Sequence, residues 1–404
     1  MNPADLATAE FVEHQASLVR TALQRAVPED CHPLAAVSRK LRDIPPGVHS
    51  EGQLFALTGV CRYFQAPGRD CAQALEAAIL LAKRAQALGR SQERLTALMC
   101  IALIHGHLDN HLEALEACVL ARNVAAELGL PSAEVAMLVL ASESLRISAD
   151  PSQAEAVARK ALSIAATTCD VEEHRVLAWL TIAKLHLTVE QYPDGLASVG
   201  QARAAIVEDA DPGLAALIDY VEALLKLATG SSDEAVALAE RVATYAMATR
   251  TAEATLLSMA VRGAVEAARG RAVGRARLWT TLEKARRMPR ELPEVLAASI
   301  VAGVASGDTA WTERARAELQ SFTEARRSAD RLKATLVRGP LVGLGALGKR
   351  FDAEAYERRL QSVKDRLLSA TPSAPASSPD TCHRPWGRKS EHATSAQGGP
   401  SASG

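Results

Sequence analysis

The sequence reads Ala74-Leu75-Glu76-Ala77, then Ala114-Leu115-Glu116-Ala117, then Ala154-Glu155-Ala156-Val157, in steps of 40 residues. Each tetrapeptide begins a segment in which apolar or small residues recur at helical intervals. Two of these segments end at Gly89 and Gly129, again 40 residues apart. A fixed period of this length is typical of stacked arrays, in which each unit buries its apolar face only against its neighbours. The repeat therefore predicts the fold and directs the question of function toward surface recognition.

Composition favours an all-α chain. Of the 404 residues, 48% are apolar but only 3% are aromatic. Alanine and leucine fill such an interior, which suits closely packed helices, whereas a sheet would need more β-branched and aromatic residues. The longest apolar stretches, 295–307 and 135–141, are too short to span a bilayer. We therefore expect no membrane partner.

Cysteine usage and the N-terminus indicate a cytoplasmic protein. None of the seven cysteines belongs to a C-x-x-C pair. Cys71, Cys100 and Cys118 fall on apolar helix faces, where a free buried thiol is the ordinary interpretation. The N-terminal residues also lack the basic segment and apolar segment of a signal peptide.

Glycine and proline divide the chain into paired helices. The predicted regions are N-terminal capping helices in 1–48, the repeat domain 49–335, a glycine-containing linker with a last helix in 336–370, and a disordered tail in 371–404. The predicted pairs are 51–65 with 70–88, 91–106 with 110–128, 131–147 with 151–167, 171–190 with 194–208, 213–229 with 232–249, 251–269 with 273–287, and 292–305 with 308–335.

A second spacing places small residues where paired helices should meet. A small residue late in the first helix stands 12 residues before another early in the second: Ala102 and Ala114, Ser142 and Ala154, Ala223 and Ala235, Ala264 and Ala276. Small side chains at these positions let two helices approach closely across a short turn.

With this spacing the chain resembles the tetratricopeptide-repeat family over about residues 51–330. Six residues follow that family's large, large, small, small, large, small order: Leu98, Ile101, Ala102, Ala114, Cys118 and Ala121. The period is longer than that family's value of about 34, and its usual tyrosine and closing proline are missing. The resemblance implies a superhelical solenoid of about seven antiparallel hairpins. Longer-helix arrays of this kind occur as sensor and effector-binding modules of bacterial regulators.

The first helices of the pairs are expected to line the concave side of the solenoid. Polar groups spaced along such a groove would bind an extended or helical segment of another protein. The predicted partner-binding residues are Arg94, Glu134, Arg175, Lys184, Glu222, Lys226, Arg262, Arg269, Arg271, Arg275 and Arg277.

Positive charge is concentrated toward the C-terminus. Residues 1–261 hold 21 Lys/Arg and 32 Asp/Glu, whereas 262–404 hold 25 and 15. The basic run at 262–290 could bind an acidic peptide, a phosphate-bearing ligand or nucleic acid. No helix-turn-helix or stacking aromatic residues accompany it, which argues against nucleic acid. A solvated face and contact between copies of the chain are the alternatives.

Two short patterns match known sites but lack their context. His105, His107 and His111 are weak metal-ligand candidates, because zinc needs three or four fixed ligands and only Asp109 lies near them in sequence. Residues 343–348 match G-x-G-x-x-G, but they do not follow a strand, and too few residues remain for a dinucleotide domain. The sequence therefore predicts no metal and no cofactor.

The stretch 340–360 resembles the first segment of bacterial diguanylate cyclase domains. The similarity rests on Pro340-Leu341-Val342-Gly343-Leu344-Gly345, Lys349-Arg350-Phe351-Asp352 and Glu357-Arg358-Arg359-Leu360. That family's Gly-Gly-Asp/Glu-Glu-Phe loop does not follow. Phosphoryl transfer needs metal-binding carboxylates in a nucleotide pocket, so the resemblance implies a relative without its catalytic domain.

The sequence as a whole predicts a non-catalytic interaction scaffold or regulatory module that binds another protein or peptide in a helical-repeat groove. Self-association is left open. One alternative is the sensor region of a signalling protein related to diguanylate cyclases. Another is a small-molecule-binding regulator, which would need an enclosed pocket.

Overall fold

The computed structural model describes residues 11–17, 37–47, 49–64, 71–108, 110–147, 150–207, 210–288, 291–341 and 353–369. Within these ranges every regular element is a helix and no strand occurs. The all-α prediction is therefore confirmed. The predicted disordered tail and the glycine pattern at 343–348 lie outside the described residues.

The helices follow the predicted pairs closely. They are α1 (Val37–Arg42), α2 (Ser50–Phe64), α3 (Cys71–Ala87), α4 (Ser91–His107), α5 (His111–Glu127), α6 (Pro131–Ile147), α7 (Pro151–Ala165), α8 (Glu172–Thr188), α9 (Tyr192–Ala205), α10 (Pro212–Ala228), α11 (Ser232–Thr249), α12 (Ala252–Ala268), α13 (Ala272–Ala285), α14 (Leu292–Ser306), α15 (Thr309–Leu341) and α16 (Ala353–Leu368). Residues 11–17 are also helical.

The end of α15 differs from the sequence prediction. The sequence predicts that the helix ends by residue 335, before Gly339 and Pro340, but it continues to Leu341. A proline this close to the C-terminal end removes one backbone hydrogen bond and leaves the preceding turns intact.

Glycines and prolines set the ends of the paired helices. Gly89 and Gly129, which follow α3 and α5, both have a φ of +66°. This left-handed conformation costs little in the absence of a Cβ. Pro131 and Pro151 occupy the first positions of α6 and α7, where a missing N–H has no intrahelical partner to lose. Asp150 caps α7 by accepting a hydrogen bond from a backbone N–H of its first turn.

Seven antiparallel pairs stack in order, from α2 with α3 to α14 with α15. Each first helix also contacts the first helix of the next pair, whereas second helices of neighbouring pairs make no contact of similar extent in the described chain. Helices on the inner side of a curve are the ones brought closest together. The first helices therefore lie inside and the second helices outside, as predicted.

Small residues make the close approach between paired helices, with one change from the prediction. The residues that are buried as expected are Ala102, Ala114, Ser142, Ala154, Ala223, Ala235 and Ala264. Ala276, however, is exposed. Gly274 makes the contact in that pair, because a Cβ there would overlap the backbone nitrogen of Ala267 and lie 2.6 Å from the carbonyl carbon of Glu266. The crossing point is thus shifted by two residues, to the position without a side chain.

The inner side of the array is filled by α14. No residue of α14 is exposed, and 11 of its 15 residues are buried. It contacts α10 and α12 along its length and reaches α6 and α8 through ion pairs. Between their first and last residues, α6 and α10 have no exposed residue either, and α8 has one, Glu173, in its first turn. The concave groove expected from the sequence is therefore not open in this part of the array.

Two further parts of the chain cover the ends and the outside of the array. Val12 and Ala16, from the N-terminal helical segment, are buried with Val37 and Leu41 against the first pair. Helix α16 lies on the outside, against the second helices α5 and α7. The described cysteines are free, and Cys100 and Cys118 are buried as predicted, while Cys71 is half-buried.

Candidate interaction surfaces

A buried cluster of charged side chains joins α14 to the third and fourth pairs. Arg146 of α6 donates to Glu294 of α14 at 2.8 Å and to Glu143 at 2.7 Å. Lys184 of α8 lies 3.1 Å from the same Glu294 carboxylate. The Arg146 and Glu294 side chains are only 6% and 7% exposed. A fifth group, the hydroxyl of Tyr220 on α10, donates to the backbone carbonyl of Glu294 at 2.8 Å.

The charges of this inner cluster decide the protonation of Glu294. Burial alone would raise the pKa of its carboxyl group, but the charges of Lys184 and Arg146 outweigh that effect and leave the pKa below its ordinary value. Because the pKa is lower in the folded state, the ionised carboxylate stabilises the fold when the pH is above the ordinary pKa of a glutamate. This contribution is lost as the pH falls through the folded pKa.

The outer groove is the space between α5 and α7 in which α16 lies. Val363 and Leu367 are buried there in the core of the second and third pairs, and Tyr356 and Leu360 pack beside them. These four residues are spaced by four, three and four positions, so they form one apolar stripe along the helix. Helix α16 is thus amphipathic, and its apolar face packs between two outer helices.

Charged groups on the rim of the outer groove match those of α16. Arg359 pairs with Glu116 and lies 3.8 Å from Glu113. Lys364 pairs with Asp150, the residue that caps α7. Opposite charges therefore flank the apolar stripe on both sides.

The C-terminal end of α16 is held by two cations from the array. Arg122 donates to the carbonyl oxygen of Leu367 at 2.5 Å and to that of Ser369 at 3.4 Å. Lys160 donates to the same Leu367 carbonyl at 3.0 Å. Cations are favourable here because the last carbonyls of a helix lack intrahelical partners and carry its negative dipole end.

Four of the predicted partner-binding residues do not face the inner side. Glu134 lies 3.8 Å from Arg122 on the second helix of the preceding pair. Arg175 and Glu222 contact the preceding second helix in the same way, through the carbonyl of Ala165 and through Arg203. Arg94, half-buried, occupies the equivalent position on α4.

Helical angle explains this correction. Glu134 stands nine residues before Glu143, which belongs to the inner cluster, and nine residues at about 100° each place two side chains on opposite faces. The same nine residues separate Arg175 from Lys184. Of the candidates on first helices, Lys184 faces α14, and Lys226 pairs with Glu234 at 2.7 Å near the following turn.

Three of the five predicted partner-binding arginines in the basic run are paired within the molecule. Arg269 lies 2.5 Å from Asp233, and Arg277 lies 2.8 Å from Glu266. Arg275 is 2.9 Å from Asp308, and its guanidinium stacks over the ring of Trp311. Arg262 and Arg271 are exposed and have no ion pair with a residue of the described chain. The run therefore fits the interpretation as a solvated face better than that as a concentrated anion site.

The three histidines do not form a metal site in the described chain. His105 and His111 are buried, whereas His107 is exposed. Among the residues with described positions, which omit Asp109, no three His, Cys, Asp or Glu side chains are arranged to hold a metal ion. The side-chain amide of Asn110 instead contacts Nδ1 of His105 at 3.2 Å. An amide N–H can only donate, so this contact requires an unprotonated Nδ1.

His105 should make the stability of the protein sensitive to mild acid. Burial lowers the pKa of His105 to about 4, against the opposing effect of Glu116. Below pH 6.5 the unfolded chain takes up a proton at this residue that the folded chain does not bind, so the free energy of unfolding falls by up to about 3 kcal/mol by pH 4. In urea titrations at pH 7 and pH 4.5, a His105→Asn variant should lose less stability on acidification than the wild type. Equal acid sensitivity in the variant and the wild type would contradict the assignment.

The residues that sequence reasoning missed carry a recognisable signal. Glu294 is the single charged residue in α14, and a lone charge in an otherwise apolar buried helix needs a partner. Arg146 and Arg122 are likewise charged side chains with little exposure, and each contacts a residue far away in the sequence. The signal marks these residues as paired but does not name their partners.

The alternatives drawn from sequence gain no further support. An open depression of about 450 Å³ beside α16 is lined by polar residues of α16 and Ser369, so it does not enclose a small ligand. The described part of the stretch 340–360 belongs to α15 and α16, and its relation to diguanylate cyclases stays a prediction.

The sequence matches no known protein family, and a comparison with curated proteins finds no similar one. Among the described helices, none has both the length and the apolar character needed to cross a membrane.

Proposed function

We propose that this protein is a non-catalytic interaction scaffold or regulatory module of the cytoplasm, which binds a segment of a partner protein on its helical repeats. The observation that carries the proposal is the way the array holds its own helices. Helix α14 fills the inner side, and α16 fills an outer groove. Helix α16 is held by an apolar face with fixed charges at its edges, which is the way helix-in-groove recognition works, and α14 is held by apolar contacts and one buried ion-pair cluster.

The inner side of the first two pairs offers a further surface for such a segment. Leu103 of α4 stands 40 residues before Glu143, so it occupies the inner position of its own helix, and it is 38% exposed. Thr96 lies two turns earlier on the same face. Phe55 occupies the same position in α2 as Thr96 does in α4, the sixth residue of the helix, and it is 41% exposed. We propose that apolar side chains of the partner segment bind here.

A pull-down with the full chain at physiological salt, analysed by mass spectrometry, tests this function. A Leu103→Asp variant should recover at least about tenfold less partner than the wild type, because a charge at the centre of an apolar contact must be desolvated on binding. The control is Met247→Asp, which changes an exposed apolar residue on the outer helix α11. The scaffold function is wrong if the wild type enriches no protein above the level of the resin alone. Equal recovery of partner by the Leu103→Asp variant and the wild type would show that the partner binds at another surface.

A further inference from the structure

Helix α16 is bound to the array as a separate segment. Residues 342–352 connect it to α15, and three of these eleven residues are glycines. Its contact with α15, the preceding helix, is smaller than its contacts with α5 and α7, which precede it by some 200 residues in the chain. Its position therefore depends on what the outer groove recognises, and less on the stacking that orders the repeats.

The outer groove specifies both the kind of helix and its direction. Its floor takes four apolar residues at the spacing of Tyr356, Leu360, Val363 and Leu367. Its rim offers Glu113, Glu116 and Asp150 to basic residues of the bound helix. Arg122 and Lys160 donate hydrogen bonds to a backbone carbonyl at the C-terminal end of that helix. A helix bound in the opposite direction would present its positive dipole end to these two cations.

Arg122 shows which part of a helix the groove recognises. Its side chain is 2% exposed, and in the described chain its hydrogen bonds go to carbonyls at the end of α16. Without α16 the guanidinium would retain Glu134, at 3.8 Å from Nε, as its nearest opposite charge. Such carbonyls stand at the C-terminal end of any helix, so Arg122 in the emptied groove can donate to the end of another helix.

We propose that the outer groove is a binding site for an amphipathic helix of another protein, and that α16 is its ligand in cis, which the partner displaces. The partner helix carries four apolar residues in the 0, 4, 7, 11 pattern, with basic residues at the positions of Arg359 and Lys364, and it ends one residue after the last of the four, as α16 does. This inference rests on the proposed scaffold function and assigns it a second surface and a partner chemistry.

The test measures binding of a fluorescent peptide with the sequence of residues 353–370 to the full-length chain. In the wild type, α16 competes at an effective concentration in the millimolar range, so the peptide should bind weakly. In a chain carrying Val363→Asp and Leu367→Asp, α16 no longer fills the groove, and the peptide should bind at least about tenfold more tightly. A chain carrying Arg359→Glu and Lys364→Glu releases α16 by charge alone and gives the same readout if the aspartate variant does not fold. A peptide of the same composition in scrambled order is the control.

Charge reversal identifies the groove. Adding Glu116→Lys to the released chain should abolish peptide binding, and a peptide with Arg359→Glu should restore it. Peptide affinity that does not rise on release of α16, or a reversed pair that shows no rescue, overturns the proposal. Dimerisation of the wild type at the concentrations of the titration would assign the groove to a second copy and overturn it as well. The outcome is separable from the pull-down: failed peptide binding rejects the outer groove alone, whereas an empty pull-down rejects the scaffold function.

Discussion

A Gly274→Ala variant is expected to lose about 3 kcal/mol of unfolding free energy, because a single methyl group has no space at this position. Gly274 is where α13 crosses α12. The added Cβ would overlap the backbone nitrogen of Ala267, and its next neighbour, the carbonyl carbon of Glu266, is 2.6 Å away. Both are backbone atoms, so relief requires the two helices to separate along their whole contact.

Urea unfolding followed by circular dichroism measures this loss, and Gly200→Ala is the matched control. Gly200 lies inside α9, and a Cβ added there would have no atom of another residue within 4 Å, apart from its chain neighbours and its own helix backbone. Alanine there should raise the unfolding free energy by about 0.5–1 kcal/mol, because it restricts the unfolded chain and favours the helix. Equal effects of the two substitutions would show that α12 and α13 do not cross as closely as described.

Replacing Arg146 by alanine should cost a similar amount, about 3 kcal/mol or more, for an electrostatic reason. The substitution leaves the buried carboxylate of Glu294 and the partly exposed carboxylate of Glu143 beside Lys184, which is 3.1 Å from the first and 3.9 Å from the second. An uncompensated buried charge is destabilising even where the intact pair contributes little. Urea unfolding at pH 7 gives the measurement.

Arg159→Ala is the control for that prediction. Arg159 pairs with Glu155 at 2.6 Å, but its side chain is 57% exposed, so its removal should change stability by less than about 1 kcal/mol. A second comparison separates charge from packing: an Arg146→Met, Glu294→Gln double variant should be more stable than Arg146→Ala, since it removes the unbalanced charge. If Arg146→Ala and Arg159→Ala unfold alike, the inner cluster does not fasten α14.

The hairpins could be predicted because the spacings that encode them are local. The 40-residue period and the 12-residue distance from Ala102 to Ala114 describe one unit and its turn, and the structure confirms both. The crossing at Gly274 was missed because two small residues, Gly274 and Ala276, stand within one turn. The spacing argument selected the alanine, whereas the structure uses the residue that permits the closer approach.

The place of α14 could not be predicted in this way. It depends on the small rotation between successive pairs, which accumulates over the array until the seventh pair meets the third. No local sequence pattern specifies the accumulated rotation, because the residues that it brings together, Arg146 and Glu294, are 148 residues apart. By contrast, sequence alone shows that Glu134 and Glu143 lie on opposite faces of α6, whereas the structure shows that Glu143 is the one on the inner side.

The distance from Arg146 to Glu294 also has a consequence for the newly made chain. Residue 294 leaves the ribosome 148 residues after residue 146, which is roughly 7 to 30 seconds at ordinary rates of synthesis. Helices α8 and α10 are completed within that interval, after α6, and α14 is made only at its end. The apolar inner faces of the three earlier helices therefore have no cover from α14 until then. The nascent protein therefore passes through a stage in which a chaperone can reach the surface that α14 later seals.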